Sequence, residues 1–132
     1  MSPLRIACAA GLAAATLALP ASVAAQRARP AMPTVNITLA SHYYHPNPIY
    51  LAGGVPVRLI FTNRSGKTHD FKAPAFFRSA RFLRGSAAGG EIELKKGRGT
   101  VVILTPARGT YKVHCTQPFH TMLGMTGRIV VS

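Results

Sequence analysis

Near the C-terminal end of the sequence, one short segment concentrates side chains that bind soft metal ions. The segment HCTQPFHTMLGM runs from His114 to Met125 and contains one cysteine, two histidines and two methionines. Within it, Cys115, His120 and Met125 follow the spacing C-x4-H-x4-M. A thiolate and imidazole with a weak thioether ligand are typical of a mononuclear copper site, whereas zinc usually takes four strong ligands. The segment therefore predicts a copper site.

A site of this kind needs a second histidine from elsewhere in the chain. His114 directly precedes Cys115, so on a strand their side chains point to opposite faces. His69 follows a long apolar strand and its turn, which can bring it to the same end of the fold as Cys115. We therefore predict His69 as the second histidine ligand. His42 and His45, in SHYYHPNP, are either ligands of a weaker second copper site or exposed loop residues.

The methionine ligand has two candidates. Met122 follows His120 by only two residues, which leaves little chain to reach another side of the metal. Met125 follows Gly124 at the end of the segment, so we favour Met125. The remaining apolar residues are then expected to form a collar around the edge of His120. They are Pro118, Phe119, Met122 and Leu123.

Short apolar runs, separated by Gly, Pro, Asn and Ser, must position these ligands. Alternating or β-branched runs predict strands over residues 34–40, 55–62, 68–72, 91–95, 100–104, 109–115 and 127–131. About seven short strands with regular turn signals are typical of an all-β sandwich. In such a fold, one strand ends at Cys115 and another starts near Thr126. The residues between them would form one loop at the end of the sandwich.

The segment between the third and fourth predicted strands has a different pattern. Residues 74–83 (PAFFRSARFL) predict a helical turn, with three phenylalanines anchored in the core. Residues 85–90 (GSAAGG) are small and glycine-rich, which is typical of a mobile loop. The three core anchors are Phe76, Phe77 and Phe82.

The N-terminal residues have the pattern of a secretory signal. Arg5 is followed by an apolar run over residues 6–19, and small residues precede a cleavage site after Ala25. This run is too short to span a bilayer comfortably, and Cys8 lies before the apolar core rather than after it. We therefore predict a cleaved signal over residues 1–25, without lipid attachment. Residues 26–33 would be a flexible lead-in, and residues 34–132 a copper-binding domain.

The charge is strongly positive. The chain has 16 Lys and Arg against 3 Asp and Glu, a formal net charge of +13, and removal of the leader takes away only Arg5 among the charged residues. Such a charge favours an acidic partner protein and permits peripheral contact with an anionic membrane surface. Nucleic acid is not expected, because an exported chain rarely meets it and the cations are not interleaved with stacking aromatics. Cys115 is the single cysteine left after cleavage, and copper would occupy its thiol.

The ordered motifs resemble those of cupredoxins, the plastocyanin- and azurin-like family of small blue copper proteins. They are VRLIFTN followed by THDF, then GTYKVHC, then the H-x4-M spacing and GRIVV, and they span roughly residues 34–132. The resemblance implies an eight-stranded Greek-key β-sandwich or barrel and one copper ion that changes between Cu(I) and Cu(II). It assigns the ligands to His69, Cys115, His120 and Met125. Asp70 departs from the asparagine that members commonly carry, and its carboxylate should favour Cu(II).

Three function classes are compatible with these motifs. The first is a monomeric, exported or periplasmic one-electron carrier that is not an enzyme. The second is a copper chaperone or buffer that uses His42, His45 and Met122 as additional ligands. The third, a multicopper oxidase, is not expected, because Thr116 stands where such enzymes place a histidine and no His-x-His pair occurs. The complete ligand set favours the carrier, because it suits retention of copper better than its transfer.

Overall fold

β-Strands form most of the computed structural model, which describes residues 30–120 and 122–132. The predicted signal and the first part of the lead-in lie outside these residues. Within them, no helix is long and apolar enough to cross a membrane. The described residues contain strands β1 (Thr34–Ala40), β2 (Tyr43–His45), β3 (Ile49–Leu51), β4 (Val57–Asn63), β5 (His69–Lys72), β6 (Arg81–Arg84), β7 (Glu91–Leu94), β8 (Gly99–Thr105), β9 (Gly109–His114) and β10 (Thr126–Val131), and one α-helix, α1 (Pro74–Ser79).

The strands form two five-stranded sheets that enclose the core. One sheet has the order β2-β1-β4-β8-β6 and the other β3-β10-β9-β5-β7. Strand β4 shows how side chains alternate between the core and the surface. Val57, Leu59 and Phe61 are buried, whereas Arg58, between the first two, is exposed. Aromatic residues from both sheets meet inside, with the rings of Phe61 and Phe71 5.0 Å apart. The predicted all-β sandwich is confirmed.

Three short strands were not predicted from the sequence. Strands β2 and β3 have three residues each, too few for their own patterns to indicate a strand, and most of β6 was predicted as the end of the helical turn over residues 74–83. Pairing with a longer neighbour forms them instead, as in the register of β6 on β8 where Phe82 lies opposite Leu104. The sheets therefore contain ten strands in the described residues, rather than the seven or eight expected.

The predicted helical turn over residues 74–83 is correct only in its first part. The helix ends at Ser79, because Ala80 takes an extended conformation (φ −82°, ψ 148°) and the chain then pairs with β8. Phe76 and Phe77 are buried and Phe82 packs against the core, as expected. The glycine-rich segment ends in a 3-10 turn over Ala88–Gly90.

The pairing of β5 and β9 brings the ligand residues to one end of the sandwich. The two strands are antiparallel, and Lys72 of β5 lies opposite His114 of β9. Beyond His114 the chain continues beside the first residues of β5, so Cys115 and Thr116 pass close to His69 and Asp70. Strand β10 starts at Thr126, opposite His114, which closes the loop of residues 115–125, here called the ligand loop.

Candidate metal centre

Three of the four predicted ligand residues converge in the structure. The side-chain donor atoms of His69, Cys115 and His120 all lie within 4.8 Å of one another. The Cys115 sulfur is 3.4 Å from Nδ1 of His120 and 3.9 Å from Nδ1 of His69. One metal ion bound at about 2.0–2.3 Å from nitrogen and sulfur donors needs donors spaced in this way. The three side chains therefore fit a single metal ion.

All three donors are withdrawn from solvent. His69 is 2% exposed, Cys115 is 0% exposed and His120 is 8% exposed. His69 opens β5 and Cys115 directly follows β9, so strands of the same sheet fix both positions. His120 lies on the ligand loop, closest to the surface of the three. The protein therefore supplies a buried set of nitrogen and sulfur donors whose spacing is set mainly by the sheet.

Backbone hydrogen bonds close the ligand loop on itself. The N–H of Cys115 donates to the carbonyl of Met125 at 3.1 Å, and the N–H of Met125 donates to the carbonyl of His120 at 2.9 Å. The N–H of His120 in turn donates to the carbonyl of Gln117 at 3.1 Å. Gly124 has φ of 91°, a conformation that other residues rarely adopt, and this bends the chain back towards β10. These bonds hold the three ligand-loop positions relative to one another.

Burial distinguishes the two candidate methionine ligands. Met125 is 0% exposed and belongs to the same buried cluster as Cys115. Met122 is 83% exposed, on the outside of the ligand loop. A ligand to a buried ion must itself point into the protein. The structure thus supports the assignment of Met125, and the backbone bonds that link it to Cys115 and His120 keep it beside both.

Asp70 ties the strand of the first histidine to the ligand loop. Its carboxylate accepts hydrogen bonds from the backbone N–H of Thr116 at 2.9 Å, from the Thr116 hydroxyl at 2.6 Å and from the Gln117 amide at 3.4 Å. Asp70 is 1% exposed, so the carboxylate end of these part-buried bonds is shielded from water, which strengthens them. Asp70 therefore ties the two loops together and places a carboxylate in the residue next to His69.

Asn63 makes a second tie that the sequence analysis did not identify. Its side-chain amide donates to the carbonyls of Lys67 at 2.7 Å and Leu94 at 2.8 Å. Its side-chain oxygen accepts from the N–H and the hydroxyl of Ser65 at 2.9 and 2.8 Å. Asn63 is the last residue of the VRLIFTN motif, which was the available signal. Its bonds hold the turn that leads into His69.

Burial also sets the protonation of the ligands. Loss of water lowers the pKa of His69, and the neighbouring His120 and His42 lower it further. The pKa of His120 is lowered first by burial and then by His42 and Lys67. Burial raises the pKa of the Cys115 thiol. Neutral imidazoles offer a lone pair to a metal, but the thiol must release its proton, so metal affinity should rise with pH.

His42 lies against the metal-binding group rather than away from it. Its ring meets that of His120 edge-on, with centroids 5.4 Å apart. The His42 backbone has φ of 70°, an uncommon conformation for a residue other than glycine. In residues 30–120 and 122–132, the one group of three or more His, Cys, Asp or Glu donors is His69, Cys115 and His120. Neither His42 nor His45 belongs to such a group, and a second copper site at this pair stays a prediction.

The exposed part of the ligand loop is apolar. Phe119, Met122 and Leu123 are 73%, 83% and 59% exposed. Phe119 directly precedes His120, and Met122 and Leu123 follow it; a collar of these residues around the edge of His120 stays a prediction. Exposed apolar side chains grouped in this way are a common feature of contact surfaces.

A family model matches most of the chain, and several solved structures share its fold. A family model described as a cupredoxin-like domain matches residues 9–131. No curated protein matches the sequence. Among solved structures, the dithionite-reduced auracyanin from the photosynthetic bacterium Roseiflexus castenholzii is similar, with a TM-score of 0.57 and 20% sequence identity. The match covers 75% of this chain and 96% of that auracyanin.

Two further structures show the same architecture. Auracyanin B has a TM-score of 0.56 and 25% identity, over 80% of this chain and 91% of its own. A multicopper oxidase has a TM-score of 0.60 and 18% identity, over 79% of this chain. The match covers only 45% of the oxidase, so this chain corresponds to less than half of that enzyme.

Proposed function

This chain belongs to the cupredoxin-like family, and we propose that it is an exported one-electron carrier that uses a single copper ion. The observation that carries the proposal is the buried group of His69, Cys115 and His120, whose donor atoms lie within 4.8 Å of one another. The donors form a type 1 copper site. Copper bound there supplies reversible one-electron oxidation and reduction between Cu(I) and Cu(II).

The protein's own contribution is to hold the ligands still and to exclude water. Strand pairing fixes His69, the backbone bond to Met125 holds Cys115 at the end of β9, and the side chains of Asp70 and Asn63 join the surrounding loops. A rigid ligand set changes little between the two oxidation states, and a small rearrangement favours fast electron transfer. We assign the fourth, weak ligand to Met125, which is fully buried.

Electrons would enter and leave at the edge of His120. This ligand is 8% exposed, whereas His69 and Cys115 are almost fully buried. The apolar collar of Phe119, Met122 and Leu123 lies next to it and would exclude water when a partner docks. One structural relative was crystallised as a dithionite-reduced protein, which supports a redox role for this fold.

Several features support a carrier rather than an oxidase. This chain matches less than half of the similar multicopper oxidase, and its sequence has no His-x-His pair with which to bind a copper cluster. We propose export through the N-terminal signal, function as a monomer in the periplasm or outside the cell, and an acidic redox partner. The net charge of +13, of which only Arg5 lies in the predicted signal, supports such a partner.

Replacing Met125 with leucine should retain copper and raise the reduction potential. Leucine fills a similar volume, but it removes a weak donor that stabilises Cu(II) more than Cu(I). Each 1.4 kcal/mol of lost Cu(II) stabilisation corresponds to about 59 mV in a one-electron couple. The measurement is a redox titration of the copper-loaded variant.

Met122→Leu is the matched control, because it makes the same change at an 83% exposed position of the same loop. Its potential should equal that of the wild type. A rise for Met122→Leu without one for Met125→Leu would show that the fourth ligand is misassigned.

Copper retention separates a carrier from a chaperone. A carrier should keep copper in both oxidation states during dialysis against a competing chelator, because its function requires the metal to stay. The double variant in which His42 and His45 are both replaced by alanine should still bind one copper per chain. Its electron self-exchange rate should be almost the same as that of the wild type. If the wild type gave up copper readily in one state, or the double variant lost half its copper, the chaperone function would replace the carrier.

A further inference from the structure

Exposed cations surround the copper-binding end of the sandwich on two neighbouring loops. The first loop connects β4 to β5 and the second connects β7 to β8; together they are called the basic loops here. All of their Lys and Arg side chains are exposed. These are Arg64 and Lys67 on the first loop and Lys95, Lys96 and Arg98 on the second.

The fold holds the two basic loops together beside the ligands. The Asn63 side-chain amide donates to the carbonyl of Lys67 on the first loop and to that of Leu94, the residue before the second loop. Its backbone N–H donates to the carbonyl of Arg98, on the second loop, at 2.8 Å. Leu94 lies opposite His69 in the pairing of β5 with β7. The second loop therefore starts one residue after the partner of a copper ligand, and its position is fixed by the sheet.

Acidic residues do not neutralise this charge. The chain has only three, and Asp70 is buried in hydrogen bonds to the ligand loop. In the part of the chain that the structure describes, the single ion pair joins Lys72 and Glu91 at 2.7 Å. Glu93, the third acidic residue, is exposed on β7, two residues before Lys95 of the second basic loop.

One cation of the basic loops, Lys67, lies beside the copper ligands. A cavity of about 220 Å³ is lined by His42, Gly66 and Lys67 together with the ligands His69 and His120. Lys67 contributes to lowering the pKa of both ligand histidines, which reflects its proximity to them. A charged group held at the basic loops thus lies close to the point where electrons leave the protein.

We propose that the basic loops and the apolar collar together form the docking surface for a redox protein that carries a cluster of carboxylates next to its own redox centre. The inference rests on the proposed carrier function and specifies the partner of the same site. Cations steer an acidic partner over a distance, and the apolar collar excludes water at contact. The basic loops place five exposed cations at the end of the sandwich that carries the ligand residues.

The test compares two triple variants with the same net charge. In the first, Lys95, Lys96 and Arg98 become glutamine. In the second, the control, three exposed arginines elsewhere become glutamine: Arg58 near the start of β4, Arg81 on β6, and Arg108 in the loop between β8 and β9, at the opposite end from the ligand loop. Both proteins are loaded with copper. Electron-exchange rates are then measured with anionic hexacyanoferrate and with cationic hexaammineruthenium, at low salt and near 1 M salt.

The readout is the ratio of the low-salt to the high-salt rate, which removes any change in driving force. For hexacyanoferrate, the loop variant should lower this ratio about tenfold, since steering by focused charge is worth about 10–1000-fold and is screened at high salt. For hexaammineruthenium, the ratio should rise. The control should change either ratio less than about twofold. Equal effects of the two variants would overturn the docking surface and leave only net charge.

Two further outcomes are distinct. Failure of the wild type to exchange electrons with either probe would refute the carrier function itself. Loop-dependent binding to anionic phospholipid vesicles, without loop-dependent reaction with hexacyanoferrate, would replace the acidic protein with a membrane surface.

As a readout independent of electron transfer, titration of the Cu(I) protein with a polyglutamate peptide should shift the amide resonances of Gly66, Lys67 and Lys95–Gly97. Shifts centred on residues 106–109 instead would contradict the proposal.

Discussion

Replacing Cys115 with serine is expected to abolish the intense visible absorption of the copper-loaded protein. This absorption would arise from charge transfer between a thiolate and Cu(II), and a serine hydroxyl offers no equivalent donor. Serine is close in size to cysteine, and strands β9 and β10 hold the two ends of the ligand loop, so the fold should persist. The measurement is an absorption spectrum with copper stoichiometry, and circular dichroism verifies the fold.

The neighbouring residue supplies a control for this substitution. His114 lies on β9, next to Cys115, but it is not part of the metal-binding group. His114→Ala should therefore retain the full absorption. An unchanged spectrum for Cys115→Ser, or loss of colour for His114→Ala, would overturn the assignment of the ligands.

Replacing Asp70 with asparagine should raise the reduction potential on the order of 100 mV. At an effective dielectric constant of about 20, one negative charge close to the copper is worth a few kcal/mol, and 1.4 kcal/mol corresponds to about 59 mV. Its removal stabilises Cu(I) relative to Cu(II). Asparagine still accepts the bond from the Thr116 N–H, and the Thr116 hydroxyl can rotate to accept from the new amide. A redox titration measures the shift.

Glu93 offers a control with the same change of charge. It lies opposite Asp70 in the pairing of β5 with β7, but it is exposed whereas Asp70 is 1% exposed. Water screens an exposed charge, so Glu93→Gln should shift the potential much less. Similar shifts for both variants would show that overall charge, and not the carboxylate beside His69, sets the potential.

Much of the copper site could be predicted from the sequence because its information is local. The spacing of Cys115, His120 and Met125 places three candidate ligands on one loop, and the runs on either side have the pattern of strands. Alternation along the long strands likewise predicted an all-β sandwich, because inward and outward positions alternate along each strand. The choice of His69 also followed from order along the chain, and the structure places it with Cys115 and His120.

Pairing and packing decided what the sequence alone could not. Strands β2 and β3 are too short to show a pattern, and β6 lies largely in the segment predicted to be a helical turn. All three form because a longer neighbour supplies their hydrogen bonds. The helix over 74–79 ends early for the same reason, since pairing with β8 competes with further helical turns.

The surroundings of the ligands also depended on residues far apart in the chain. Asp70 reaches Thr116 across 46 positions, and Asn63 reaches Leu94 across 31. His42 meets His120 from a turn that no motif connected to the site. Residue types and spacing determined which side chains can bind copper. Only the tertiary structure determined which charges, ties and aromatic contacts surround them, because these arise where segments distant in sequence are brought together by the sheets.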